Sequence, residues 1–294
     1  MQRVRELVEV AAGGKAFQRV IRERMAEQPD PLFPEKMALA ADFSNATLRE
    51  ISLAEARNLI VAQEWLGSLG SSEFAHGLFF GEHLAGCVCF GSTAGTKVRA
   101  SVCGSEHADK VITLTRGCCV HWAHPHSSSF LVSAACRMVT KKEYHVVIAY
   151  ADPEAGERGV IFRACNFLYC GQTSPTEKFR RPDGKVFDAR NVHLLTRDRR
   201  FGRLRYKRTR AAQKRPLSDD GCVFFRDGVR KHRFVGIFGD RRMKRVLRQA
   251  LKWEVLAFPK HQQVPQDVLA VSLPAGFDSP IISSHPRERV QPGA

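Results

Sequence analysis

The sequence predicts a mixed α/β fold, a central sheet flanked by helices, with a basic C-terminal extension. Three observations lead there. Apolar runs of strand length alternate with segments of helical spacing along the first two thirds of the chain. Hydrophobic residues fill 44% of the 294 positions, enough to bury a core and too many for a disordered or fibrous chain. The charge is segregated. Of a formal net +16, residues 196–260 hold 21 Lys and Arg against 6 Asp and Glu, and the rest of the chain holds 25 against 24. Such a block attached to a neutral body points to a polyanionic partner, nucleic acid first and an acidic membrane second.

The elements follow in chain order. Arg5 to Glu27 has apolar residues at helical spacing and is expected to form a helix that Pro29, Pro31 and Pro34 break. Ser52-Leu-Ala-Glu55 is a capping box, so a helix is expected from there to about Leu66. Phe74–Phe80 and Leu84–Phe90, separated by Gly81-Glu82-His83, read as a β-hairpin. Val111–Val120 reads as a mostly buried strand, Ser127–Lys142 as a helix and Tyr144–Ala151 as a second buried strand that ends on the polar Asp152. Gly159–Leu168 is expected to be a short helix. Tyr169–Thr173 and a pair around Asp183-Gly184 are expected to be strands with a tight turn. His232–Phe238 reads as one more strand, and Arg241–Trp253 as a helix with a very basic face. From His261 onward Pro, Gly and Ser recur without period, which reads as a disordered tail. The expected organisation is therefore an N-terminal helix and linker over 1–47, a core over 48–195, a basic extension over 196–260 and a tail over 261–294.

Bulk features narrow the setting. No run approaches the roughly 18–20 apolar residues that span a bilayer. Met1–Glu9 alternates in charge and lacks the apolar stretch of a secretory signal. Nine cysteines, most in apolar runs, read as reduced core thiols of a cytoplasmic protein rather than as a disulfide framework, and neither Cys87-Val88-Cys89 nor Cys118-Cys119 has zinc-site spacing.

Four constellations can carry chemistry. Ligands of open α/β sheets bind beyond the carboxyl ends of the strands, here His121–Ser129 and Tyr150–Asp152. In the first, a helix start at Ser127, Ser128 and Ser129 offers free N–H groups and hydroxyls to a pyrophosphate, or else a plain serine cap. The spacing of His121, His124 and His126 is compatible with an imidazole metal site, although no carboxylate or thiol completes a known pattern; a phosphate-facing or surface role is the other reading. In the second, Asp152 at a strand end is either a general base that takes a hydrogen bond from an amine or the cap of an Asp-Pro turn. In the third, Tyr169 is either a proton donor to a leaving thiolate or a core residue with a satisfied hydroxyl. The fourth is the basic block: Arg199, Arg200, Arg203, Arg205, Lys207, Arg208, Lys231, Arg233, Arg241, Arg242, Lys244 and Arg245 are expected to contact nucleic-acid phosphates without base specificity.

Taken together, Ile112–Arg116 through Ser129–Ser133, then Val147–Asp152-Pro, then Gly159-Val-Ile-Phe-Arg-Ala164-Cys-Asn166-Phe-Leu-Tyr169-Cys-Gly171, resemble the Mom-type DNA-modification proteins of bacteriophages. Lys231–Phe238, the following basic helix and Phe258-Pro-Lys260 fit that family's C-terminal pattern, so the similarity covers roughly Leu48 to Lys260. The resemblance implies a GNAT-like transferase core in the cytoplasm of an infected bacterial host. It implies placement of a carbamoylmethyl- or acyl-type group on the exocyclic N6 of adenine in double-stranded DNA, which protects that DNA from restriction. It implies an acyl-CoA such as acetyl-CoA as cofactor, with a metal ion left open. By position, Arg116, Ser129, Asp152 and Tyr169 match the family's polar cleft residues. Ser129 and the helix start would hold the acyl-CoA pyrophosphate, Asp152 would bind or deprotonate the amine, and Tyr169 would act as acid or substrate contact. Two departures stand out. Many relatives carry a His-Tyr pair where this chain has Glu64-Trp65, and the loop His121–Ser129 lacks the glycines of the usual GNAT pyrophosphate loop.

Two rival functions remain. One is a GNAT-like N-acyltransferase for another hypermodified base, a small amine or a protein. The other is a nucleic-acid-binding protein without catalysis.

Overall fold

A computed structural model describes residues 16–27, 32–93, 96–175, 177–180, 186–188, 223–226 and 230–258. Helices α1 (Phe17–Ala26) and α2 (Phe33–Ala40) precede strand β1 (Ala46–Ile51) and helix α3 (Leu53–Gln63). Next come β2 (Ser72–Phe80), β3 (His83–Gly91), α4 (Thr96–Cys103), β4 (Val111–Cys119), α5 (Ser127–Met138), β5 (Val146–Ala151), α6 (Val160–Ala164) and β6 (Leu168–Gln172). The described chain ends with β7 (Glu177–Arg180), β8 (Val186–Asp188), β9 (Val223–Arg226), β10 (His232–Ile237) and α7 (Arg241–Ala250).

Seven strands form one mixed sheet in the order β1-β2-β3-β4-β5-β10-β6. Strands β1 to β4 run antiparallel in sequence order, β4 and β5 are parallel, and β10 inserts between β5 and β6, antiparallel to both. This is the mixed central sheet flanked by helices that the sequence predicts. The insertion of β10 is a packing result. Its Phe234 and Val235 are fully buried, one against each face of the sheet, so the strand finds its place only where helices cover both sides. A separate three-stranded sheet joins β7 to β8 and β9, and its first pair flanks the expected Asp183-Gly184 turn.

The core has two faces. On one, α5 packs Leu131, Val132, Ala135 and Cys136 against Val88, Phe90, Ile112, Val147 and Ala149. On the other, α3 covers Cys87, Cys89 and Cys118 with Ala56 and Ile60, while Val102, Cys103 and Leu247 cover Val111, Val146, Ile148 and Val235. The eight described cysteines are buried and form no disulfide, as the sequence predicts. Burial holds the Cys103 and Cys170 thiols up at about 11, so they stay protonated at neutral pH.

Several expectations are corrected. Pro34 does not only break a helix; it opens the next one, at the start of α2, where a missing N–H costs nothing. Strand β1 and helix α4 are additional elements. Strand β1 lies at the edge of the sheet and is half exposed, so its hydrophobic pattern is weak. The capping box forms as read: the Ser52 hydroxyl accepts from Glu55 N and Glu55 returns a bond to Ser52 N. Helix α3 nevertheless stops at Gln63, because Glu64 turns to extended backbone. The expected helix Gly159–Leu168 shrinks to Val160–Ala164, and Leu168 joins β6. None of the three serines caps α5. His126 occupies the cap position without a side-chain bond, so the plain serine-cap reading fails. Residues 5–15 of the expected first helix, the basic residues Arg199, Arg200, Arg203, Arg205, Lys207 and Arg208, and the expected tail from His261 lie outside the described residues. No described helix is long and apolar enough to cross a membrane.

Candidate active site

Strands β4 and β5 pair at three positions only, Val111 with Val146, Ile112 with Val147 and Thr113 with Ile148. Beyond them β4 runs on to Cys119 and β5 to Ala151 without pairing, so the sheet opens into a cleft. The physical cause is in the neighbouring ladder. Against β3 the register passes from Phe90 opposite Leu114 to Cys89 opposite Arg116, which leaves Thr115 as an extra residue in β4. Such a bulge bends its strand. The Thr115 hydroxyl is held by a 3.1 Å bond to Cys89 O and a 2.6 Å bond with the Ser72 hydroxyl.

Backbone groups on the open strand edges need other partners. Helix α1 supplies some of them. Gln18 Nε2 donates to Gly117 O of β4 at 2.7 Å, and in the loop after β4 Arg22 Nη2 donates to Ala123 O at 3.2 Å. Phe17 and Ile21 are buried against Ala155 and Trp65, so α1 touches β4, the end of α3 and the turn after β5.

That turn carries a polar cluster. Asp152 is 4% exposed and forms an ion pair with Lys231, just ahead of β10. The Lys231 ammonium also lies 5.6 Å from the centre of the Trp65 ring. Glu157 Oε2 accepts from Asp152 N at 3.0 Å, and Glu157 N donates to Asp152 O at 3.0 Å, which closes the turn on itself. Glu64 accepts from Leu66 N and Gly67 N and lies 3.8 Å from Arg116 Nε. Burial raises the Glu64 carboxyl, with Arg116 pulling against it. Burial raises Glu157 more, to about 7, with the Glu64 and Asp152 charges adding and Lys231 opposing. The pair that departs from the family pattern, Glu64-Trp65, thus belongs to this cluster.

Tyr169 on β6 meets His232 on β10, with 3.0 Å between Tyr169 Oη and His232 Nδ1. Burial lowers the His232 pKa, which favours the neutral imidazole, and raises the Tyr169 phenol. Because His232 pairs with Ala151 and follows Lys231, Tyr169 and Asp152 reach the same end of the sheet.

Beside the cleft, α5 begins at Ser127. The Ser127 hydroxyl is completely buried without a hydrogen-bond partner, while Ser128 is bonded to the Cys119 thiol. Ser129 Oγ donates to His126 O at 3.1 Å, and its carbonyl accepts from Cys165 Sγ at 3.3 Å. The Ser128 and Ser129 N–H groups fall in the first turn, where a helix offers no internal acceptor. His124 Nδ1 accepts from His126 N at 3.2 Å, and its ring packs on Phe43. Among the described residues no group of three or more His, Cys, Asp and Glu side chains is arranged to hold a metal ion. Arg116 lies apart from the α5 start: its guanidinium donates to Ser68 O at 2.6 Å and to Thr115 O at 2.5 Å.

The described basic residues divide. Lys231 is committed to Asp152, and Arg233 lies 4.5 Å over the Trp253 ring. Arg241, Arg242, Lys244, Arg245 and Arg248 are exposed on α7.

Sequence reasoning missed Gln18, Glu64 as a buried acid, Glu157 and His232. Only Glu64 carried a signal, as a departure from a pattern. The burial of the others depends on elements distant in sequence.

A mixed seven-stranded sheet, opened between two parallel strands with a helix start at its mouth, defines an α/β protein with a cleft at the carboxyl ends of its central strands. Residues 45–260 match the Mom protein family, and the chain belongs to that family. No curated protein matches it in sequence. Among solved structures it is similar to a Bacillus subtilis acetyltransferase in complex with CoA, at 10% identity and a TM-score of 0.34, over 66% of this chain and 99% of that one. It is also similar to a ribosomal-protein-S5-alanine acetyltransferase from Vibrio fischeri, at 8% identity and a TM-score of 0.35, over 68% and 96% of the two chains.

Proposed function

We propose that the protein is an acyl-CoA-dependent transferase that modifies the exocyclic N6 amine of adenine in double-stranded DNA with a carbamoylmethyl- or acyl-type group, and so protects phage DNA from restriction. The observation that carries this reading is the cleft between β4 and β5, which has an anion-favouring helix start on one side and the Asp152–Lys231 pair at its end. Membership of the Mom family supports the DNA target.

The residues present fit an acyl-CoA. The buried Ser127 hydroxyl without a partner and the first-turn N–H groups of α5 suit pyrophosphate oxygens. When bound, acyl-CoA supplies an activated group to the amine. Asp152, paired with Lys231, accepts a hydrogen bond from the amine and orients it. Tyr169 Oη, 3.0 Å from His232 Nδ1, would give its proton to the thiolate that leaves and would recover one through His232. Reaching the base requires extruding it from the stack, which costs a few kcal/mol. Phosphate contacts from α7 and the basic residues before it offset that cost.

Mass spectrometry of nucleosides from DNA co-expressed with the soluble protein tests the reading. A modified deoxyadenosine is expected. Unchanged adenine, with the protein folded, overturns it, and an acylated small amine or protein in its place gives the role to the rival N-acyltransferase.

A further inference from the structure

We propose that Glu157, rather than Asp152, is the group that takes the proton from the attacking amine. The inference rests on the transferase reading above and concerns the same cleft.

Asp152 is already engaged by a cation. Its carboxylate is in contact with the Lys231 ammonium, and protonation would break that ion pair inside a site where Asp152 is 4% exposed. A carboxylate so paired is a fixed charge that orients a donor. Glu157 is held beside it by the bond from Asp152 N to Glu157 Oε2, which leaves Oε1 available to a substrate. As a residue Glu157 is only partly buried.

The charges facing Glu157 come from three elements: Glu64 after α3, Asp152 after β5 and Lys231 before β10. From α1, Arg22 points its guanidinium to Ala123 O instead. Burial first, and then two carboxylates against one ammonium, hold the Glu157 carboxyl up at about 7 against the bond from Asp152 N. A base with that affinity both accepts and releases a proton at neutral pH, which is the condition for efficient general-base catalysis. In the step, the amine nitrogen would form its bond to the transferred carbon as its N–H proton moves to Glu157 Oε1, the electron pair of that N–H bond staying on nitrogen; the carbon–sulfur bond would break with its pair on sulfur, which would leave as the thiolate that Tyr169 protonates. Glu157 becomes a neutral carboxylic acid and later loses the proton to water.

The bland alternative is that Glu157 only closes the Asp152–Glu157 turn. Glu157→Gln separates the two, because an amide oxygen still accepts from Asp152 N but cannot take a proton. The test is the pH profile of adenine modification for wild type, Glu157→Gln and Glu157→Asp, with carboxyl-labelled glutamate followed by carbon NMR. The wild-type rate is expected to rise through a limb near pH 7. Glu157→Gln should lose that limb and about 10²–10⁴-fold of the rate above it. Glu157→Asp should recover part of the rate and keep a limb. One glutamate carboxyl should titrate near 7 and vanish from the Glu157→Gln spectrum. A Glu157→Gln enzyme with an unshifted profile, or a Glu157 carboxyl titrating in the ordinary range, overturns the proposal. If wild type modifies no base, the transferase reading falls, and the titration still decides whether Glu157 is a proton-holding group.

Discussion

At the scale of single residues, the cleft holds more acid than its cations neutralise, and this makes stability depend on pH. Glu157 binds its proton more tightly in the folded chain than in the unfolded one, since its carboxyl moves from the usual carboxylate range to about 7. Between roughly pH 4.5 and 7 the folded state therefore carries the extra proton, so its contribution is full at the acid end and fades as pH rises. Glu157→Gln removes that dependence. Relative to wild type, the variant should gain about 1–3 kcal/mol of stability on going from pH 5 to pH 8, measured by urea unfolding at both values. Gly159 makes a second case. Its φ of +74° is left-handed, and a Cβ there would run into the Phe234 ring. Gly159→Ala should cost roughly 2–4 kcal/mol by adding strain to overpacking, read as a fall in Tm. The acids and Tyr169 were visible as residue types, but their pairings were not. Nothing near Asp152 in sequence announces Lys231, 79 positions later.

At the scale of elements, helix ends and strand edges decide the behaviour. Helix α7 places Arg241 and Arg242 at its N-terminal, positively polarised end, with Asp240 as the side chain that caps it through Met243 N at 2.7 Å. Asp240→Ala should cost about 1 kcal/mol and more at low salt, where its cations repel one another most, as followed by urea unfolding at two ionic strengths. Helix α1 caps an open carbonyl of β4 through Gln18. If acyl-CoA pairs with the same edge, Gln18→Ala should tighten CoA binding several-fold by calorimetry, because a resident donor no longer competes for Gly117 O. The strands of the hairpin, β4, β5 and α5 were legible, since their periodicities and breaks are local. Strand β1 and α4 were not, because a half-exposed edge strand and a short helix owe their stability to what they pack on.

At the scale of the whole molecule, nearly all of the net +16 comes from residues 196–260, a stretch that gives the sheet β10 and exposes a row of cations on α7. If it grips DNA phosphates, replacing Arg242 and Arg245 by Gln should lower the slope of log affinity against log salt by about 2, with sequence preference unchanged, in titrations across salt concentrations. An unchanged slope would remove α7 from the interface.

The sequence by itself determined the alternation of strands and helices, the buried thiols, the capping box, the segregated charge and the family, because each is written in neighbouring residues or in their order. Tertiary structure alone decided where β10 inserts and how far β4 and β5 stay paired. It also decided which cation neutralises Asp152, and that Glu157 and Glu64 share a dehydrated site. Those outcomes depend on which surfaces exclude water when distant segments meet, and burial with its effect on charge is a property of that meeting rather than of any one segment.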